Sequence, residues 1–173
     1  MRTLRLIVAA TLTAALLAGP AAAAPAGNAI ESVSGGGWRL SLDDVPMVEF
    51  SVNAWTRPGG AITGSYRYAN PFAALTLSGP VTCLDVQGDV AAIGGTVTGG
   101  SGFLGEPFLV ILYDNGGPTF GEFGPDQVSQ TYIQEEFSPD FPAVCPNAEE
   151  NPFEPDPFSH LDVIGDVTIA DAP

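Results

Sequence analysis

The stretch MVEFSVNAWTRPGGAITGSYRY, residues 47–68, decides the fold class of this chain. Val48, Phe50, Val52 and Ala54 alternate with Glu49, Ser51, Asn53 and Trp55, the period of two that sends successive side chains to opposite faces of a strand. Past Arg57-Pro58-Gly59-Gly60 the alternation resumes, with Ile62, Tyr66 and Tyr68 against Thr63, Ser65 and Arg67. Pairing Arg57 with Ala61 leaves a three-residue loop and sets Val52 opposite Tyr66 and Phe50 opposite Tyr68. A slip of one residue would bury Ser65 and Arg67 instead, so the apolar face selects the register. Three-residue loops commonly join a type I turn to a left-handed residue, the place Gly60 would take.

The other face of this hairpin is polar apart from one indole. Trp55 stands opposite Thr63, Asn53 opposite Ser65 and Ser51 opposite Arg67, with Glu49 on the diagonal from Arg67 and in reach of a modest cross-strand ion pair. Trp55, Asn53, Ser65 and Arg67 are the candidate patch for a ligand or partner, because indole and guanidinium are enriched at binding hot spots. The alternative is that a later part of the chain covers Trp55, which the burial of a large ring favours.

Working outward, Leu84 and Val86 lead into Gly88-Asp89, and Ala91 and Ile93 return. A two-residue loop with Gly first fits a type II′ hairpin pairing Leu84 with Ile93 and Val86 with Ala91. Just before it the apolar phase switches from odd positions (Leu75, Leu77, Val81, Cys83) to even ones, which predicts a bulge or break near Gly79-Pro80. Residues 108–113, FLVILY, are apolar without alternation, as in a strand covered on both faces, and end at Asp114-Asn115-Gly116-Gly117. Residues 118–160 are crowded with Pro and acidic side chains and hold six of the ten phenylalanines: Phe120, Phe123, Phe137, Phe141, Phe153 and Phe158. Such composition resists folding unless anchored. The phenylalanines and Cys145 predict an irregular layer on the sheet, interrupted by one strand at 127–134. Residues 167–170 read as a C-terminal strand. LDVQGDV at 84–90 recurs as LDVIGDV at 161–167, which repeated turn chemistry explains better than duplication. The fold class is therefore all-β: an antiparallel meander of about eight strands, as a small barrel or a two-sheet sandwich, with the Pro/Phe-rich segment packed on it.

The N-terminus has the layout of a cleavable secretory signal. Arg2 and Arg5 precede an apolar Ala/Leu stretch at 6–18, and Gly19-Pro20 precedes a run of alanines. Cleavage is expected after Ala23, with Ala26 as the alternative; a retained anchor would need a longer apolar run. The expected organisation is a signal at 1–23, a flexible leader at 24–37 and one β domain at 38–173, with the irregular segment at 118–160 inside it. Removing the signal leaves roughly 150 residues, enough for one core. The whole chain carries a net charge of −15, and the only cations beyond the signal are Arg39, Arg57 and Arg67. That field repels phosphate backbones and anionic lipid, so nucleic acid and the membrane surface are excluded as partners, leaving an extracellular ligand or protein. Cys83 and Cys145 are the only cysteines, and an oxidising compartment predicts that they pair.

GSYRY (64–68), LSGPVTCLDVQGDVAAIGG (77–95), DNG followed by PDQVS (114–116 and 125–129) and GDVTIADA (165–172) together resemble a recurring group of small secreted β-domain proteins of high-GC, actinobacterial-type bacteria. The resemblance spans most of the chain beyond the signal. It implies export and a β domain, and it brings no reaction with it.

Candidate chemistry is sparse. His160 is the sole histidine, and its neighbour Ser159 points away from it on an extended chain, so the pair makes a poor nucleophile and base. Trp38 and Trp55 could serve as platforms for a sugar, and twenty acidic residues leave room for a carboxylate-dependent hydrolase acting on a carbohydrate. Asp114 and Asp126 are the candidate calcium ligands, with Asp43-Asp44 a second oxygen-rich turn; neither follows a calcium-loop pattern, and Asp114 has a competing role in its own turn. No other cofactor is indicated. The sequence favours an exported, non-enzymatic binding or structural module over the hydrolase.

Overall fold

The computed structural model describes residues 31–43, 45–116, 126–133, 139–146 and 161–171. The signal and its cleavage site, Asp44, Phe120, Phe123, Phe137, Phe153, Phe158, Ser159 and His160 lie outside the described residues.

Alternation in residues 47–68 produces β2 (Pro46–Thr56) and β3 (Ile62–Asn70), paired with Phe50 opposite Tyr68 and Val52 opposite Tyr66. The loop closes with the Arg57 N–H donating to the Ala61 carbonyl at 2.8 Å. Both Gly59 (φ 101°) and Gly60 (φ 82°) are left-handed. Positive φ behind Pro58 is the signature of a type II turn, so the expected type I turn is replaced where glycine removes its advantage. The second hairpin joins β4 (Leu75–Gln87) to β5 (Val90–Thr96), with Leu84 opposite Ile93, Val86 opposite Ala91 and Gly88 at φ 60°. The phase switch in β4 is a bulge between Val81 and Cys83 within one continuous strand. It turns Cys83 outward while Leu84 and Val86 enter the interior.

Two glycines form β6 (Gly99–Gly100), followed by β7 (Pro107–Tyr113), β8 (Gln127–Val128), β9 (Tyr132–Ile133) and β10 (Leu161–Ala170). Eight strands pair in the ring β1–β2–β3–β4–β5–β7–β8–β10, and β10 pairs back onto β1 (Ser32–Leu40). Every pairing is antiparallel, β6 and β9 lie off the ring, and no helix occurs among the described residues. The architecture is a closed up-and-down barrel rather than a sandwich. Eight strands leave an interior just wide enough for side chains to fill. Here Val33, Val52, Tyr66, Ile93, Phe108, Val110 and Val167 fill it. Tyr66 stacks on Phe108 with centroids 5.3 Å apart.

Four expectations are corrected. The stretch 24–37 reads as a flexible leader, yet from Ser32 onward it is β1. Its glycines are there because the seam with β10 is tight: Gly37 faces Gly165, and a Cβ on Gly165 would lie 2.2 Å from the Gly36 carbonyl oxygen. For the same reason the second LDVxGDV copy is no turn. Gly165 continues β10, whereas Gly88 in the first copy makes the hairpin. Strand β10 therefore starts six residues before the expected 167. The single strand expected at 127–134 is two short ones, β8 and β9. Between them Ser129 stands in for the backbone ladder: its hydroxyl accepts the Ile111 N–H at 2.9 Å and donates to the Gln130 carbonyl at 2.8 Å.

Gly165→Ala isolates the steric cost of the seam, since its backbone is not left-handed. We expect a loss of about 1–3 kcal/mol by overpacking, read as a lower urea midpoint. An unchanged midpoint would show that β1 and β10 separate without cost.

Strand β7 is covered on both faces, as its unbroken apolar run requires. Phe108, Val110 and Leu112 enter the barrel, while Leu109 and Ile111 join an outer cluster with Ala92 and Tyr132, against which Phe141 and Cys145 pack. Segment 139–146 is thus held on the outside of β5 and β7, tied by the Cys83–Cys145 disulfide (Cα–Cα 5.3 Å).

Candidate functional site

On the outward face of β10–β1–β2–β3–β4 the registers align polar side chains in rows across the strands. One row runs Asp166, Gly36, Ser51, Arg67, Ser78, and the next runs Thr168, Ser34, Asn53, Ser65. Trp38, between Ile164 and Glu49, borders this floor on one side, and Trp55, between Ser32 and Thr63, borders it on the other. Six residues of β2 separate the two tryptophan rows, about 20 Å at the usual strand rise. Trp38 is exposed and Trp55 half-buried.

The four residues of the sequence patch therefore share one face in the expected register: Trp55 pairs with Thr63, Asn53 with Ser65 and Ser51 with Arg67. Ser65 and Arg67 are exposed and Asn53 is half-buried. The described part of the Pro/Phe-rich segment lies over β5 and β7 instead of over Trp55. Next to the patch, β2, β3 and β4 enclose a groove of about 340 Å³, with Glu49, Ser51, Arg67, Thr76 and Ser78 along it and Gly100 at its edge. Glu49 and Arg67 both line it, and no ion pair joins them among the described residues. The groove offers hydroxyls, one guanidinium and one carboxylate, which suits hydrogen bonding to a polar ligand.

The calcium candidates Asp114 and Asp126 both accept backbone amides. Strand β8 pairs with β10 only at Leu161 and Asp162, which leaves the later amides of β10 without a neighbouring strand on that side. The Asp126 carbonyl accepts the Val163 N–H at 2.9 Å, and Asp126 Oδ2 accepts that of Val167 at 2.7 Å. Asp114 Oδ2 accepts the Ile169 N–H at 3.0 Å. Their remaining oxygens take the Asn115 N–H at Asp126 Oδ1 and the Gly116 N–H at Asp114 Oδ1, both at 2.9 Å. All four carboxylate oxygens thus accept backbone amides, and the two that take β10 amides complete the ladder that closes the barrel. No group of three or more His, Cys, Asp or Glu side chains is placed to hold a metal among the described residues. Asp43 lies in the exposed turn after β1, which Ser41 caps by accepting the Asp43 backbone N–H at its Oγ at 3.2 Å.

One charged residue was missed by the sequence reading. Arg39 follows Val33, Gly35 and Gly37 on the inward phase of β1, paired with Val48 and Val163, so it enters one end of the barrel. Only strand parity counted back from Val33 could have found it, and the glycines hid that strand. It borders a narrow crevice with Tyr66, Tyr68, Ser129 and Thr131. Burial pulls the guanidinium below its ordinary pKa, with Tyr68, Tyr66 and Tyr132 acting the other way. Burial also pushes the Tyr66 phenol up, so it stays neutral and shares a 2.7 Å hydrogen bond with Thr131 Oγ1.

Compared with family models, with curated proteins and with solved structures, the chain finds no match.

Proposed function

We propose that this protein is an exported, non-catalytic binding domain that holds a polar extracellular ligand on the outer face of β1–β4, in the groove between Glu49 and Arg67. The observation that carries this reading is a polar groove of about 340 Å³ on the outside of a barrel whose interior is filled. Two tryptophans about 20 Å apart across a floor of serine, asparagine and arginine suit an extended neutral chain such as a glycan, with indoles stacking on sugar faces and hydroxyls exchanging hydrogen bonds. Hydrolysis of a glycan would call for two carboxylates flanking the scissile bond, and the described lining supplies Glu49 alone. Export rests on the N-terminal layout and agrees with the disulfide, which persists in oxidising compartments.

The test is titration of soluble neutral polysaccharides into wild type, Trp55→Ala and Arg67→Ala, followed by calorimetry. Arg67→Ala should keep the wild-type urea midpoint, within about 0.5 kcal/mol as for most surface changes, and lose at least tenfold in affinity. Trp55→Ala should lose binding with only a small stability change. A large destabilisation by Trp55→Ala with binding intact would make the indole a packing residue and remove the patch. Binding unaffected by both variants would overturn the reading.

A further inference from the structure

One row of outward side chains that enters the groove continues past it. In register across five strands the row runs Ile164, Trp38, Glu49, Ala69, Thr76. Glu49, Ala69 and Thr76 line the groove, and Trp38 and Ile164 lie beyond it on β1 and β10. Ile164 follows the buried Val163, so strand parity turns it outward, and it stays 56% exposed although it is paired with a tryptophan. Leu42 and Val45, in the turn that ends β1, are exposed as well. This corner therefore holds four of the eight exposed large apolar side chains among the described residues. Single exposed apolar residues are ordinary, whereas adjacent ones rimmed by polar groups mark a place of contact. The rim here is Glu49 on one side, with Asp162 and Asp166 two residues to either side of Ile164 on the same face.

We propose that Trp38 and Ile164 form an apolar shelf for the chain of an amphipathic ligand: a neutral glycoside with an unbranched alkyl or acyl substituent, its sugar seated in the groove. The sugar's place rests on the groove proposed above, and the shelf adds the substituent. Two strand spacings separate Glu49 from Ile164, about 10 Å, which a chain of about eight carbons spans. An indole beside an isoleucine rewards apolar contact, and removing two methylenes from water corresponds to roughly a tenfold gain in affinity. The ligand is neutral because Asp162, Asp166 and the net charge of −15 repel an anionic amphiphile.

Octyl and methyl β-maltoside are the probes, each below its micelle-forming concentration. The readouts are the indole N–H resonances of Trp38 and Trp55, the only tryptophans of the chain, and the urea midpoint. The octyl compound should bind at least tenfold more tightly than the methyl one and shift the Trp38 resonance further. Ile164→Thr, which keeps the branched β-carbon, should retain the wild-type midpoint and the methyl maltoside affinity within twofold. It should cut the octyl advantage at least threefold. Arg67→Ala should weaken both maltosides alike. An octyl compound no tighter than the methyl one would overturn the shelf and leave the groove standing. An octyl advantage unchanged in Ile164→Thr would overturn it too, because the chain would then lie elsewhere. Sodium octyl sulfate binding as tightly as octyl maltoside would overturn the glycoside class. If neither maltoside binds, the shelf is overturned, and the polysaccharide titration separately judges the groove. If Ile164→Thr does not fold, the wild-type comparison of the two maltosides at Trp38 decides alone.

Discussion

Asp126→Ala is expected to destabilise the barrel by about 3–5 kcal/mol, since each buried amide left without an acceptor costs about 1–3 kcal/mol and a charged acceptor raises that figure. Two amides lose their partner at once, those of Asn115 and Val167. Asp126 is 1% exposed, so water cannot readily replace the carboxylate. Asp126→Asn keeps one carbonyl acceptor and turns an NH₂ donor toward the other amide, so about half the loss is expected, near 2 kcal/mol. Urea unfolding of the three proteins measures both values. Hydrogen exchange adds a local readout: the Val167 amide should exchange faster in both variants, while the Ile93 amide in the middle of β5 should follow only global stability. Losses below 1 kcal/mol in both variants would mean that the seam between β7 and β10 is closed by something other than this carboxylate. A calcium-dependent rise in the wild-type midpoint, absent from Asp126→Asn, would return the Asp114–Asp126 pair to metal binding.

Replacing both Cys83 and Cys145 with alanine is expected to cost roughly 4 kcal/mol, the loop-closure entropy of a large covalent ring in the unfolded chain. The bond spans 62 residues of sequence. It also fixes the 139–146 layer: Phe141 packs where a Cβ on Gly94 would stand 2.6 Å from its ring, and the same Cβ would meet Cys83 Sγ at 2.7 Å. Gly94 is therefore the notch that lets the ring and the disulfide reach the β5–β7 surface together. Urea unfolding measures the loss, and limited proteolysis locates it, since cleavage within 139–146 should accelerate more than cleavage within the barrel strands. A stability change under 1 kcal/mol would show that packing of Phe141 holds the layer by itself. Because Cys83 is 1% exposed, reductant should act on the native protein only through opening of the layer.

How much of this molecule could be read from its residues depends on how far each contact reaches along the chain. The hairpins β2–β3 and β4–β5 were legible with their registers, because a period of two and a glycine at the turn are local facts that leave one pairing with all apolar side chains on one face. The bulge after Val81 was legible for the same reason, as a change of phase, and so was the buried strand β7, as an unbroken apolar run. The cysteine pair followed from being the only two in a chain with a secretory leader pattern. Of the candidate face, the alignment of Trp55, Asn53, Ser65 and Arg67 was legible, since it is the back of the same hairpin. The groove beside it was not, because it needs β4 and β6 folded against β3. The first strand was hidden. SVSGGGWRL reads as linker until Gly165, more than a hundred residues later, is laid against Gly37, and then the missing side chains are what allow the two backbones to meet. With β1 hidden, the inward course of Arg39 was hidden too. Asp126 and Asp114 looked like calcium ligands because an oxygen-rich turn looks alike whether it awaits a cation or an amide. Only the short β8, which leaves later amides of β10 without a neighbouring strand, showed which amides these carboxylates accept. The sequence by itself determined the strands of the two hairpins and β7, and how the hairpin strands pair, because those choices turn on side-chain alternation and turn geometry within about ten residues. Closure of the ring, the work of its buried charges and the groove on its surface were decided by the tertiary structure, because each depends on the close approach of backbones far apart in the chain.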